Sequence, residues 1–318
     1  MKFRHLTILA LVIVCSSFGV REALALTVSP VRVEITGNPG QTLKGEMEML
    51  NEQAESKTFF SSFENFEPSG DTGSPRFVGN TGNLSTWLAT NEQVDIAPGE
   101  KVVVPYTITI PEDAEPGGYF SAIFWGGQDP KTQEAGEVAI GGKLGVLILL
   151  RVAGDIHEEA GLSEFLAGDG SRVFTTLPVG FSYRFTNKGE DRVVPLGDIT
   201  IKNTFGREVA KLKANESEGN VLPNSTRKFL VTWGDKNIVP AVGFWNQAKS
   251  EFSDFHFGFY RAKVEVAWGS MNHIETGTTW IFLFPWHALT IVALVLVIVF
   301  FLLKRYNAWI ISRNNKAK

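Results

Sequence analysis

The chain has 318 residues, 44% of them hydrophobic, with 34 acidic against 30 basic side chains and a single cysteine. Three of the basic residues fall in the first 25 positions and five in the last 15, where Glu22 is the lone acid, so residues 26–303 hold 22 basic against 33 acidic residues, a net charge of −11. A block this acidic is a poor electrostatic match for nucleic acid or a polyanionic wall polymer, and with Cys15 confined to the first 25 residues it offers no disulfide, thiol nucleophile or thiolate metal site.

The first element in chain order is a leader. A basic start, Met1-Lys2-Phe3-Arg4, an apolar run over 6–20 and the small exit Ala23-Leu24-Ala25 predict a secretory signal, residues 1–25, cleaved after Ala25. Val14 ahead of Cys15 is not small, so lipidation is not expected.

Period-2 alternation dominates from residue 26 onward. Val31, Val33 and Ile35 alternate with Arg32 and Glu34, and Leu43, Gly45, Met47 and Met49 with Lys44, Glu46 and Glu48. Val102, Val104, Tyr106, Ile108 and Ile110 share one face, as do Val179, Phe181, Tyr183 and Phe185, and Tyr260, Ala262, Val264, Val266 and Trp268. Such alternation predicts half-buried strands in antiparallel sheets. The near-continuous apolar run 144–152 reads instead as a strand covered on both faces, and no amphipathic helix is evident between 26 and 280. Polar stretches at 67–83 and 126–142 are expected to be surface loops.

The two halves repeat one pattern. Leu50-Asn51, a polar turn and Lys57-Thr58-Phe59 match Thr186-Asn187, a turn and Arg192-Val193-Val194. Pro98-Gly99 ahead of Val102-Val103-Val104 matches Pro223-Asn224 ahead of Phe229-Leu230-Val231, and Gly118-Tyr119-Phe120-Ser121-Ala122 echoes Gly258-Phe259-Tyr260-Arg261-Ala262. The predicted fold is all-β: two tandem immunoglobulin-like β-sandwiches, residues 26–156 and 157–280, plus one C-terminal transmembrane helix. That helix is assigned to 281–303, with Pro285 at its first turn, and 304–318 to a cytoplasmic basic tail bearing Lys304, Arg305, Arg313, Lys316 and Lys318. By the positive-inside pattern the sandwiches lie outside the cytoplasm, and the second abuts the bilayer without a stalk. His287, beside Trp286, is expected at the interface.

The chemistry-bearing residues do not assemble into a catalytic motif. His157-Glu158-Glu159 has no second histidine at helical ligand spacing, and Asp169-Gly170 reads as a hairpin turn without a calcium-ligand series. Asp254 and His256 are read as solvent-facing or structural, without local convergence. Aromatic rings are the remaining candidates for ligand or partner contact, namely Trp125, Trp87, Tyr119 and Phe66, with Trp125 the one expected to be exposed. Phe255, Phe257 and Phe259 are read as filling the space between sheets. No catalytic, cofactor or metal site is predicted.

The stretch Leu26-Thr27-Val28-Ser29-Pro30-Val31-Arg32-Val33-Glu34, the turn Asn38-Pro39-Gly40, Pro111, the Pro116-Gly117-Gly118-Tyr119 turn and Ala122-Ile123 resemble the N-terminal domain of bacterial WxL-interacting proteins. The resemblance runs from residue 26 to about residue 155, and the second domain is generically immunoglobulin-like. It implies a non-enzymatic cell-surface protein whose first domain binds peptidoglycan and whose second meets surface proteins. The expected partners are thus cell-wall glycan, secreted surface proteins and the membrane, without cofactors. The alternatives are a structural subunit of a larger membrane assembly and a cell-wall hydrolase.

Overall fold

The computed structural model describes residues 26–130, 142–235 and 242–315. The expected leader and most of the expected loop 126–142 lie outside them. The chain forms two compact units, residues 26–67 with 76–155, and residues 68–75 with 156–315.

In chain order the first unit contains β1 (Leu26–Ser29), β2 (Arg32–Gly37), β3 (Thr42–Asn51), β4 (Lys57–Ser69) and β5 (Ser74–Gly79). The one-turn helix α1 (Leu84–Trp87) follows, then β6 (Leu88–Thr90), β7 (Gln93–Ile96), β8 (Lys101–Thr109), β9 (Gly117–Gly126) and β10 (Leu144–Val152). One sheet orders β1-β3-β8-β6; the facing sheet orders β2-β10-β9-β4-β5, with β7 on β4. Between them pack Met47, Met49, Tyr106 and Ile108 from one side and Ile123, Trp125, Val146, Ile148 and Leu150 from the other.

The second unit holds β11 (Ala160–Ala167), β12 (Val173–Phe174), β13 (Val179–Asn187), β14 (Leu196–Asn203), β15 (Glu208–Lys213) and β16 (Ser225–Trp233). A helix α2 (Phe244–Ser253), the ribbon β17 (Gly258–Trp268) and β18 (His273–Leu283), and the terminal helix α3 (Trp286–Asn315) complete it. Sheet β11-β13-β16 faces sheet β12-β18-β17-β14-β15. Its core is made by the alternating residues named above: Val179, Phe181, Tyr183 and Phe185 meet Tyr260, Ala262, Val264 and Val266. The protein is therefore two immunoglobulin-like sandwiches followed by one long apolar helix.

The units repeat the same strand order, and each splits its first strand between sheets. β1 lies antiparallel on β3, then β2 runs parallel to β10, from Arg32↔Leu147 to Gly37↔Val152. Likewise β11 lies antiparallel on β13, then β12 runs parallel to β18. A purely antiparallel expectation fails here because a strand that crosses between layers keeps its direction, and the last strand of the sandwich runs the same way.

The repeated asparagine explains itself in the same geometry. Asn51 Nδ2 donates to Glu55 O and Ile96 O, both at 2.9 Å, while its Oδ1 accepts from Gln53 N–H at 3.0 Å. Asn187 Nδ2 donates to Asp191 O at 2.7 Å and Val221 O at 2.9 Å, and its Oδ1 accepts from Gly189 N–H at 2.9 Å. Each buried amide ties the turn leaving a strand to a distant segment, satisfying three backbone groups at once. Asn187→Ala removes three buried hydrogen bonds, although Val221 O still accepts from Val193 N–H and Gly189 N–H still donates to Glu159 O. A loss of about 2–3 kcal/mol is expected, read as a lower urea midpoint at unchanged slope.

Burial pushes the phenols of Tyr106, Tyr119, Tyr183 and Tyr260 above the ordinary tyrosine range, with Glu115 adding to the rise at Tyr119 and Arg227 opposing it at Tyr183. The folded chain then keeps protons that the unfolded chain releases. Stability is complete below about pH 10 and falls as pH rises beyond it, by about 1.4 kcal/mol per pH unit for a single fully protonated buried phenol. Urea unfolding followed from neutral pH to about pH 11 checks this expectation.

Three expected boundaries change. Residues 67–83 are not a loop throughout, because β4 and β5 form a hairpin across them, its turn carrying Gly70 and Gly73 at positive φ and its arms linked by Arg76–Glu67 at 2.8 Å. A helix, α2, stands where none was expected. Residues 281–283 finish β18, so the terminal helix begins at Trp286, immediately after Pro285. Within it Trp286–Ile310 is long and apolar enough to cross a membrane, rising about 37 Å.

Candidate functional site

In the second unit, β18, α2 and α3 converge on one junction. β18 ends at Leu283 and α3 starts at Trp286, leaving two residues between sheet and helix. Opposite that turn lies Glu251 of α2, fully buried at 0% exposure. Its Oε1 sits 2.6 Å from Nδ1 of His287, and its Oε2 accepts the Ala288 N–H at 2.8 Å. Phe244 closes the site, its ring 5.2 Å from His287 and 5.9 Å from Trp286.

The arrangement has a physical logic. The first N–H groups of a helix lack internal acceptors, and the helix dipole favours an anion there. Glu251 supplies both an acceptor and the anion from outside the helix. His287, expected at an interface, is buried at 4% exposure and paired. The pair therefore fixes the direction in which α3 leaves the sandwich.

Around this junction the rings of Phe257, Phe259, Trp280, Phe284 and Trp286 are exposed, as is Trp245 on α2. The core reading of Phe255, Phe257 and Phe259 is corrected: each is more than half exposed. Tyr260 points inward, so on a strand Phe259 points outward, sharing its face with Arg261 and Lys263. The expected lack of local convergence between Asp254 and His256 is corrected as well. These residues lie between α2 and β17, not on a strand, and His256 Nδ1 comes within 3.2 Å of Asp254 Oδ1. The His256 ring lies 5.4 Å from Trp233 and 6.1 Å from Tyr260.

The four rings singled out from sequence all belong to the first unit. Trp125 is fully buried, its Nε1–H donating to Met47 Sδ at 3.1 Å, so its expected exposure is overturned. It shares parity with Ile123 and faces the core. Trp87 and Tyr119 pair with centroids 4.6 Å apart, half-buried against the same core. Phe66 is covered on the outer face of the β4–β5–β9 sheet, where it meets Phe77 and Phe120. Phe77 continues the row to Phe124, 4.8 Å away. Phe124 packs on Gly145, its register partner on β10, where an added Cβ would come within 2.7 Å of the ring. Exposed Phe77 forms the open rim of this row.

Among the described residues no group of three or more His, Cys, Asp or Glu side chains is placed to hold a metal. The sequence matches no family model and no curated protein. Among solved structures the chain is similar to the class 5 fimbriae chaperone CfaA, at 10% identity and a TM-score of 0.40, over 81% of this chain and 99% of that one. It is similar also to a chain of the CsuC–CsuE chaperone–tip adhesion subunit complex of Acinetobacter baumannii, at 11% identity and 0.37, over 81% and 98%. A third likeness is the E. coli chaperone DraB, at 10% and 0.35, over 80% and 98%.

Proposed function

We propose that this protein is a non-enzymatic adaptor of the cell envelope, anchored by α3 with both sandwiches outside the cytoplasm and contacting wall glycan or secreted surface proteins. The observation that carries the reading is the junction: an apolar helix of membrane-crossing length joins a sheet through two residues and is braced by a buried Glu251–His287 pair. A braced helix transmits position and force, which suits an anchor. The resemblance of residues 26–155 to WxL-interacting proteins supports a wall-facing first domain. Its partner surface is assigned to the aromatic row ending in Phe77, with sheet edges supplying backbone donors and acceptors.

The full chain in detergent micelles is expected to sediment with isolated cell wall. Phe77→Ser is expected to weaken that retention, compared under conditions where the variant stays folded, because losing the contacts with Phe66 and Phe124 also costs about 1–2 kcal/mol of stability. Absence of wall retention, with co-purification of other membrane proteins, would favour the alternative of a subunit in a larger assembly.

A further inference from the structure

From the end next to α3, the outer face of the β17–β18 ribbon turns from apolar to charged over its first four outward pairs, before Ala267 and exposed Ile274 close the far end. At the end next to α3, Phe259 stands opposite Phe282, their rings 4.6 Å apart, and Phe257 and Phe284 extend the cluster at 6.0 and 5.9 Å from Phe282. Two residues further from the helix, Arg261 stands opposite Trp280 with its guanidinium 5.7 Å from the ring. The next outward pairs are Lys263 with Thr278 and Glu265 with Thr276. Each step covers about 7 Å along an antiparallel strand. Over about 20 Å the face therefore passes from bare phenylalanine, through tryptophan and arginine, to lysine and glutamate.

That sequence matches what a bilayer surface presents: acyl boundary, then headgroups that favour Trp and cations, then water. Helix α2 points the same way. Trp245, Lys249 and Phe252 at spacings of four and three residues form one exposed stripe, while Ala248 and Glu251 are buried on the other side. Both features are fixed to the start of α3, one through Phe284-Pro285 and the other through Glu251, so the medium around that helix end also meets the collar.

We infer that the second sandwich is seated in the outer leaflet. Phe257, Phe259, Phe282 and Phe284 enter the boundary between acyl chains and headgroups, Arg261 and Trp280 lie at the phosphate level, and α2 lies flat in the interface. The occupant of the exposed aromatic face is thus phospholipid. The inference rests on the reading of α3 as a membrane anchor and adds which face, helix and depth are involved.

The test uses the full chain carrying Cys15→Ser and one new cysteine at a time: Phe257→Cys, Phe252→Cys, Lys211→Cys or Val295→Cys. Each is labelled with an environment-sensitive fluorophore and reconstituted into phosphatidylcholine vesicles with and without brominated lipid. The expected result is quenching at 257 and 252 comparable with that at 295, and none at 211. If 295 is quenched while 257 and 252 behave like 211, the seating is overturned and the anchor stands. If 257 and 252 are shielded from brominated lipid and from aqueous iodide alike, a protein covers the face and the inference falls. If 295 itself escapes quenching, the anchor reading fails and the seating with it.

Discussion

Replacing Glu251 by alanine is expected to release α2 from the first turn of α3, at a cost of about 3–5 kcal/mol. Amide hydrogen exchange across Phe244–Ser253 should then accelerate about 10²- to 10³-fold, at about 1.4 kcal/mol per decade. The size of the effect follows from what stays behind. His287 remains buried, its Nδ1 stripped of the oxygen 2.6 Å away, and the Ala288 N–H loses its acceptor at the point where the helix itself provides none. Water has poor access, since the site is sealed by Phe244 and Trp286.

Companion variants separate charge from shape. Glu251→Gln keeps an acceptor for Ala288 and an amide beside the imidazole, so a loss of about 1 kcal/mol is expected. His287→Ala buries a carboxylate with one backbone N–H for company and should cost at least as much as Glu251→Ala. Joint replacement by Glu251→Leu and His287→Phe removes both polar side chains together and should restore part of the docking, the Ala288 N–H still lacking its acceptor. An α2 that exchanges at the parent rate in Glu251→Ala would refute the clamp.

What sequence reveals about this protein follows from which interactions are local. Alternation is a property of neighbouring residues, so the inward row Tyr260 to Trp268 and the row Val179 to Phe185 are plain before any partner is known. The buried asparagines are legible as a repeat because each opens its turn at the same offset. Parity also held information about the aromatic collar: Phe257 and Phe259 are odd-numbered beside an even-numbered inward row, which puts them on the outer face. Counting rings without counting parity sends them to the core. Helix α2 is not legible, because its buried side includes a glutamate and its apolar positions Phe244, Trp245, Ala248 and Phe252 span little more than two turns. Its partner is His287, 36 residues downstream, and no local pattern encodes that distance. The hairpin across 67–83 was hidden for the same reason, since Phe77 becomes a strand residue by packing on Phe66 and Phe124 from other strands.

Trp125→Ala is expected to destabilise the first unit by about 3–5 kcal/mol, a large share of the roughly 5–15 kcal/mol that holds a domain folded. The indole sits between β4 and β10, opposite Ser61 and Leu144, with none of its surface open to solvent. Removing it opens a cavity among Met47, Ile123 and Val146 that a close-packed sandwich can only partly close, and it deletes the Nε1–H donation to Met47 Sδ. Trp125→Phe keeps much of the apolar volume and should lose substantially less. A tryptophan serving as a surface contact predicts the opposite pattern, with stability within about 0.5 kcal/mol of the parent and only partner binding impaired. Urea midpoints of the two variants therefore decide between a core ring and a contact ring.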